Sequence, residues 1–335
     1  MLTRRDLFRT AAGSLGALAA GAAAGALSGC EATPDNQVII YSCGEGERNE
    51  ALMGQLRQDL PDLDVRMQYM STGNLAARLK VEGSSAEFDI ALMLEGGYLM
   101  AAEDSLADLS GHFDLDVFED DLVISPKIMP FTRECGTFAY NTEVLARAGA
   151  EPPESLDDLL DARFAGMVSM PNPKASSTGY NFYYSVVRRL GEDGALAYFD
   201  ELDKNVYQYT SSGGTPATAL TQGEAGLGLS LMFQLVSERN DGAPTELCLF
   251  PEGVPWTMNG ISVVAGHETR EAVWEVMRWF YEKGILLDKQ RFVPDRVFKG
   301  QDTHREGYPE NLTYADMDGL FDLDLKERLL SAWNH

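Results

Sequence analysis

One kind of turn recurs along this chain and has the residue types of an anion-binding site. In each case a short apolar run is followed by small hydroxyl residues and glycine, and then by an amphipathic stretch. The clear examples are Ser71-Thr72-Gly73, Ser176-Ser177-Thr178-Gly179 and Ser211-Ser212-Gly213-Gly214-Thr215, and the looser ones are Ser42-Cys43-Gly44-Glu45-Gly46 and Glu95-Gly96-Gly97. Hydroxyls donate hydrogen bonds, glycine lets a ligand approach the backbone, and a helix that starts there offers unpaired N–H groups. Turns of this kind hold anionic ligands.

The sequence lacks the patterns that catalysis at these turns would need. There is no G-x-x-x-x-G-K-[ST] phosphate loop and no G-x-S-x-G nucleophile elbow. The 4 histidines are scattered and none lies near the hydroxyl clusters, and the 4 cysteines form no C-x-x-C pair. We therefore expect a site that binds a ligand without transforming it and that uses neither a cofactor nor a metal. An exported hydrolase with a loop serine is the alternative of another class, and it would need a base beside that serine.

Length and charge narrow the class of protein further. The chain has 335 residues, of which 44% are hydrophobic, and this is ordinary for a globular protein of about two domains. Lys and Arg number 27 against 52 Asp and Glu, so the formal net charge is −25. An acidic surface repels phosphate backbones, and this excludes nucleic acid as a partner.

From Gln37 onward, short apolar runs alternate with amphipathic stretches, which predicts an α/β protein with mixed, mainly parallel sheets. The predicted strands are 38–41, 65–70, 88–93, 137–140, 167–170, 206–209, 228–231, 247–250 and 261–265. The predicted helices are 48–60, 75–81, 155–160, 180–190, 195–202, 216–222 and 270–283. Because the carboxyl ends of parallel strands meet at one edge of a sheet, the hydroxyl–glycine turns are expected to converge on one crevice.

The first thirty residues have the pattern of an export signal. Arg4 and Arg5 precede a weakly apolar Ala/Gly/Leu stretch that ends in Leu27-Ser28-Gly29-Cys30. The paired arginines resemble a twin-arginine signal and the ending resembles a lipobox. We expect 1–29 to be removed, Cys30 to be lipidated and 30–36 to be a polar tether. An uncleaved anchor is the alternative, but the stretch is shorter than the ~20 strongly apolar residues that a spanning helix needs.

Several segments, in their order and spacing, resemble the extracellular solute-binding proteins of bacterial ABC importers, a family that includes binders of iron, phosphonates, sugar phosphates and thiamine. The segments that carry the resemblance are 38–42, 71–79, 88–91, 138–142, 176–180, 222–228, 256–266 and the closing helix 326–333. The resemblance implies a two-lobed type II periplasmic-binding-protein fold with two crossing strands, near 134–140 and 256–262. The lobes would then be 37–135 plus 260–335, and 136–259. It also implies a lipid-anchored monomer that is not an enzyme. Such a protein closes on a small solute and delivers it to an ABC permease. A ligand sensor of the same fold is the alternative.

The ligand is predicted to be a phosphonate or sugar-phosphate oxyanion. Arg133 would add a bidentate partner, and Glu45 and Glu95 would pair with an ammonium group if the ligand is zwitterionic. Iron-binding members carry adjacent tyrosines where this chain has 230–234, Ser-Leu-Met-Phe-Gln, although Tyr41 and Tyr180 keep ferric iron open. Thiamine and polyamines are further alternatives. The predicted ligand-binding residues are Ser42, Cys43, Glu45, Ser71, Thr72, Gly73, Glu95, Gly96, Arg133, Ser177, Thr178, Gly179, Tyr180, Ser212, Gly213 and Trp256.

Overall fold

The computed structural model describes residues 34–335, of which Asp35–His335 form one compact unit. The predicted export signal, the lipidation site Cys30 and the first part of the tether lie outside the described residues. Among the helices of residues 34–335, none has the length and apolar character to cross a membrane.

A mixed sheet of nine strands organises this unit. The strands are β1 (Gln37–Ser42), β2 (Asp64–Tyr69), β3 (Ile90–Glu95), β4 (Met129–Asn141), β5 (Val168–Pro171), β6 (Val206–Thr210), β7 (Leu227–Leu231), β8 (Thr245–Cys248) and β9 (Trp256–Val263). Their order in the sheet is β2-β1-β3-β9-β4-β7-β5-β6, and β8 pairs with β4. Each apolar run that the sequence marks as a strand overlaps one of them. The pattern identified only the second half of β4.

The strand directions are more mixed than the prediction of mainly parallel sheets. β1 pairs in parallel with β2 and β3, and β5 pairs in parallel with β6 and β7. All four pairings that involve β4 or β9 are antiparallel. The parallel strands therefore form the two outer parts of the sheet, and the antiparallel strands join those parts.

β4 is the strand that crosses from one part of the sheet to the other. Its residues up to Cys135 pair with β9, and its residues from Gly136 onward pair with β7 and β8. A Cβ atom on Gly136 would lie only 2.7 Å from Cγ2 of Thr178, so glycine lets a turn of the second part approach the crossing point. The predicted crossing near 134–140 is confirmed, and β9 enters the first part at Trp256, opposite Cys135.

Ten α-helices are present in residues 34–335: α1 (Gly46–Asp59), α2 (Thr72–Glu82), α3 (Gly96–Ala101), α4 (Thr142–Ala148), α5 (Ser177–Leu202), α6 (Thr215–Thr221), α7 (Met232–Asn240), α8 (Glu271–Trp279), α9 (Ile285–Arg291) and α10 (Leu323–Ala332). The two helices predicted at 180–190 and 195–202 are the halves of α5, which bends at Gly191, where φ is 74°. The helix predicted at 155–160 is only a 3₁₀ turn. α8 continues through the π-helical turn Phe280–Gly284 into α9.

The two largest apolar cores lie in two different lobes. The core of the first lobe draws on residues between Val38 and Phe131 and between Met258 and Val297. The core of the second lobe draws on residues between Phe138 and Phe250, and it also includes Leu329 and Trp333. The C-terminal helix α10 thus packs into the second lobe, whereas the sequence-based boundaries placed all of 260–335 in the first. The local pattern of α10 shows that one face is apolar but not which core that face meets.

Trp333 tests this assignment of the C-terminus. It is 1% exposed and packs edge-on against Tyr183 and Phe199. We expect Trp333→Ala to lower the free energy of unfolding by about 3–5 kcal/mol, the usual cost of deleting a buried aromatic side chain. Urea unfolding followed by circular dichroism measures this. The control Leu190→Ala removes an exposed side chain and should cost much less; equal losses in the two variants would contradict the packing.

Candidate functional site

A cleft of about 660 Å³ lies between the lobes, and four of the five predicted turns line it. The first lobe contributes the turn after β1 and the turn after β2. The second lobe contributes the turn after β5 and the loop after β6. The lining residues are Cys43, Gly44, Glu45, Gly46, Arg48, Tyr69, Ser71, Thr72, Gly73, Asn74, Met93, Glu134, Ala175, Ser176, Ser177, Thr178, Ser211, Ser212, Gly213, Gly214, Leu231, Gln234 and Asn259.

The wall from the first lobe consists of the starts of α1 and α2. The side chains of their N-cap residues, Glu45 and Ser71, accept no hydrogen bond from a backbone N–H of their own helix, so the first N–H groups of both helices have no side-chain cap. Cys43 belongs to the turn after β1, and its thiol lies next to Thr72 of the turn after β2. Burial raises the pKa of its thiol to about 12 despite a hydrogen bond with Thr72, so the cleft presents a neutral thiol rather than a thiolate.

The wall from the second lobe is built around the start of α5. Its N-cap Ser176 makes no capping hydrogen bond, and Thr178 in the first turn is 5% exposed. The loop after β6 packs directly on this turn, because a Cβ atom on Gly213 would lie 2.5 Å from Oγ1 of Thr178. Glycine at this position therefore lets the two turns lie in direct contact.

Residues of β3, β4 and β9 complete the lining of the cleft: Met93, Glu134 and Asn259. Met93 has φ of 56°, a left-handed conformation that is costly for a residue with a side chain. It occupies the irregularity between Leu92 and Leu94, where the register of β3 with β9 shifts. Strain of this kind persists only where the surrounding structure enforces it, and it concentrates at functional sites.

Arg48 of α1 organises a buried cluster of charges at the edge of the cleft. Its side chain is 1% exposed. Nε and Nη2 donate to the two oxygens of Asp288 at 2.8 and 3.0 Å, and Nη1 donates to Glu134 Oε2 at 2.7 Å. Glu45 adds a weaker contact at 3.4 Å. Lys289, which is fully buried, donates to Asp288 at 2.9 Å and to Thr132.

The two carboxylates bound by Arg48 titrate differently. Burial by itself would raise the pKa of Asp288, but Arg48 and Lys289 together outweigh it and hold that pKa below its ordinary value. Glu134 is paired with a single cation, Arg48, which Asp288 also binds, and it faces the carboxylate of Glu45. The effect of burial therefore dominates and raises the pKa of Glu134 to about 7. The carboxyl group of Glu134 therefore changes charge near neutral pH.

The structure brings nine of the predicted ligand-binding residues to the cleft and places seven elsewhere. Those that line it are Cys43, Glu45, Ser71, Thr72, Gly73, Ser177, Thr178, Ser212 and Gly213. Those that do not are Ser42, Glu95, Gly96, Arg133, Gly179, Tyr180 and Trp256.

The seven residues outside the lining pack against neighbouring residues or form ion pairs and hydrogen bonds within the protein. Glu95 is 1% exposed and accepts hydrogen bonds from Lys326 at 2.9 and 3.3 Å. The same ammonium group lies 4.5 Å from the ring of Tyr180, which is completely buried. Gly96 and Gly179 are in close packing, and the hydroxyl of Ser42 donates to Oδ1 of Asn49 in α1.

Arg133 and Trp256 form a separate stack. The Arg133 guanidinium lies between the rings of Trp256 and Tyr314, at 4.2 and 4.6 Å, and binds the carboxylate of Asp121. It lines a second cavity of about 870 Å³. On β4, Arg133 and Glu134 point to opposite faces, as neighbours on a strand do, so only Glu134 reaches the cleft.

Sequence reasoning missed several polar residues that line the cleft, among them Arg48, Glu134 and Gln234. The signal for Glu134 was present, because charged residues inside an otherwise apolar run, 129–141, are rare in a buried strand unless they are paired. Arg48 and Gln234 lie on helices, where polar residues usually mark the solvated face. Nothing local distinguishes them.

Among residues 34–335, no three His, Cys, Asp or Glu side chains are arranged to hold a metal ion. Tyr69 is the tyrosine that lines the cleft, while Tyr41 binds Glu87, and Tyr183 and Tyr184 belong to the second core. Cys43, Cys135 and Cys248 are free thiols.

The raised pKa of Glu134 predicts a pH-dependent stability. Below about pH 7 the folded state keeps a proton on Glu134 that the unfolded chain, with an ordinary pKa of 4.5, releases. The free energy of unfolding therefore falls as the pH rises toward and through 7. The amide in the variant Glu134→Gln cannot ionise. The free energy of unfolding of this variant should therefore rise relative to that of the wild type by roughly 1–3 kcal/mol between pH 5 and pH 8.

Urea unfolding at several pH values measures this difference. Glu47→Gln is the matched control, because Glu47 is exposed in the first turn of the same helix as Arg48. A constant offset between Glu134→Gln and the wild type across that pH range would show that Glu134 has an ordinary pKa.

Comparison with known proteins agrees with this architecture. Over 130 residues the chain is 37% identical to an uncharacterized protein of Haemophilus influenzae, and the match covers 38% of each chain. The periplasmic binding protein AfuA from Actinobacillus pleuropneumoniae, solved with fructose-6-phosphate bound, superposes with a TM-score of 0.78. The match covers 89% of this chain and 97% of AfuA at 22% identity. A ferric binding protein from Campylobacter jejuni superposes with a TM-score of 0.71 over 88% and 97% of the two chains, at 15% identity.

These structural similarities establish the two-lobed fold of type II periplasmic binding proteins. The model of the family described as bacterial extracellular solute-binding protein matches residues 94–302, more than half of the chain. The family consists of binding proteins rather than enzymes, in agreement with the absence of a catalytic pattern in the sequence. This chain therefore belongs to the bacterial extracellular solute-binding proteins.

Proposed function

We propose that this protein captures a small phosphonate or sugar-phosphate-like oxyanion in the interlobe cleft and delivers it to an ABC permease. The observation that carries the proposal is the set of helix starts without side-chain caps, which come from both lobes and line one cleft. The permease step rests on the family and would follow closure of the lobes.

The starts of α2 and α5 suit an oxyanion best. The side chains of their N-cap residues, Ser71 and Ser176, make no capping bond, so these hydroxyls and the first N–H groups remain available to a ligand. Helix dipoles add partial positive charge at the same places. The start of α1 is less favourable for an anion, because its N-cap is the carboxylate Glu45.

Ferric iron is the weaker alternative. Hard Fe³⁺ prefers clustered phenolate and carboxylate oxygens, whereas the described cleft residues include a single tyrosine and no group of ligands arranged for a metal. Thiamine and polyamines remain alternatives of the same fold, and the acidic residues of the cleft favour a cationic group in the ligand.

Export and anchoring remain proposals from the sequence. We infer that 1–29 direct export through the twin-arginine route and that acylated Cys30 holds a monomeric protein at the membrane surface. The tether 30–36 would separate the folded unit from the lipid.

Ligand-dependent stabilisation tests the proposed function. Purified residues 31–335 should melt at a higher temperature with a cognate oxyanion, since a ligand that binds only the folded state stabilises it by mass action. Differential scanning fluorimetry would compare phosphonates and sugar phosphates with thiamine, polyamines and Fe³⁺. A shift with Fe³⁺, thiamine or a polyamine alone, or no shift at millimolar oxyanion, would contradict the proposal.

Thr178→Val tests whether the start of α5 contacts the oxyanion. The change keeps the shape of a side chain that is only 5% exposed but removes its hydroxyl. Affinity for the oxyanion should fall by about 1–3 kcal/mol, the cost of leaving a buried acceptor without its donor. Isothermal titration calorimetry measures this. Thr218→Val, exposed in α6, is the control; unchanged affinity in Thr178→Val would remove this turn from the site.

A further inference from the structure

The charged side chains that line the cleft within residues 34–335 are Glu45, Arg48 and Glu134. Together with Asp288 and Lys289, which contact Arg48 or lie next to it, they form one cluster. The cluster contains two cations and three carboxylates when all are ionised. It therefore carries one negative charge in excess at the edge of the cleft.

Both cations of the cluster are already paired with its carboxylates. All donor atoms of the Arg48 guanidinium are engaged by carboxylates: Nε and Nη2 by Asp288, and Nη1 by Glu134 and Glu45. Lys289 is completely buried and is held by Asp288 and Thr132. An anionic group of a ligand would thus find no free cation here.

Glu134 is the member of the cluster that faces the cleft with an unused atom. The residue is 8% exposed, and only its Oε2 accepts a hydrogen bond, from Arg48. Within the described chain, its Oε1 accepts none. This oxygen belongs to a carboxylate that lines the cleft, and a ligand donor with a positive charge satisfies such an oxygen best. Glu45, whose side chain is 31% exposed, is the second carboxylate available at this place.

We propose that Glu134 receives an ammonium group of the solute, so that the ligand is a small zwitterion with its oxyanion at the starts of α2 and α5. The inference rests on the proposed function and adds the second half of the ligand. A hydroxyl would satisfy Oε1 equally in geometry, but it would leave the excess charge of the cluster unbalanced. A polyamine would balance the charge but leave the helix starts of both lobes without an acceptor.

Matched pairs of ligands that differ by the ammonium group test the inference. The pairs are 2-aminoethylphosphonate with ethylphosphonate, phosphoethanolamine with ethyl phosphate, and glucosamine 6-phosphate with glucose 6-phosphate. Calorimetric titration of the whole folded unit at pH 8 should show, in at least one pair, about 10- to 100-fold tighter binding of the ammonium compound, as expected for a charge-assisted hydrogen bond. Glu134→Gln should abolish this preference, whereas Glu47→Gln should keep it.

A pH series on the wild-type protein gives a second readout that does not depend on the variant's folding. The ammonium preference should weaken between pH 8 and pH 5.5 as Glu134 gains its proton. The charged neighbours that face this carboxyl group are Arg48, Glu45, Asp288 and Lys289. The partner without ammonium corrects for titration of the phosphonate or phosphate itself.

The outcomes separate the two proposals. If compounds without ammonium bind as tightly as their partners, or if the preference survives Glu134→Gln, the role of Glu134 is wrong while the oxyanion site stands. A preference that is constant from pH 5.5 to pH 8 would also overturn that role. If no member of any pair binds at millimolar concentration, both proposals fail.

Discussion

The ion pairs of Arg48 are the constraint on which the site depends. One buried guanidinium joins α1, the crossing strand β4 and α9, which are separated by up to 240 residues along the chain. Removing one partner from such a cluster leaves an uncompensated buried charge, so the three elements are strongly coupled. Glu134 lies just before the point where β4 leaves the first lobe. The cluster therefore ties α1 and α9 to the strand that joins the lobes.

A second buried ion pair joins the two lobes elsewhere. Lys326 belongs to α10, which packs into the second core, and Glu95 ends β3 in the first lobe. Both side chains are almost completely buried, at 6% and 2% exposure. Breaking a buried pair of this kind leaves an uncompensated charge, so the pair couples the two parts that it connects. It also explains why Glu95, although it ends a strand as the cleft residues do, does not face the cleft.

Much of the fold and part of the cleft could be predicted from the sequence. The strands are visible because each is a short apolar run bounded by turn residues, a property of the local sequence. The helices α4, α7 and α9 were missed, since short helices show too few turns for a periodic pattern. The cleft was predicted through its turns, because topology alone brings the carboxyl ends of parallel strands to one edge. Glu134 and Gln234 were not, because their use depends on neighbours distant in sequence.

By itself, the sequence determined the α/β class, the positions of the strands, the hydroxyl–glycine turns and the similarity to solute-binding proteins. The first three depend on residue types within short stretches of the chain, and the similarity depends on the order and spacing of such stretches. The tertiary structure decided which carboxylate oxygens are paired within the protein and which remain available to a ligand. Glu95 and Glu134 are the same residue type in apolar surroundings, yet Lys326 satisfies both oxygens of the first and Arg48 only one oxygen of the second. Pairing of buried charges depends on contacts across hundreds of residues, and no local pattern encodes it.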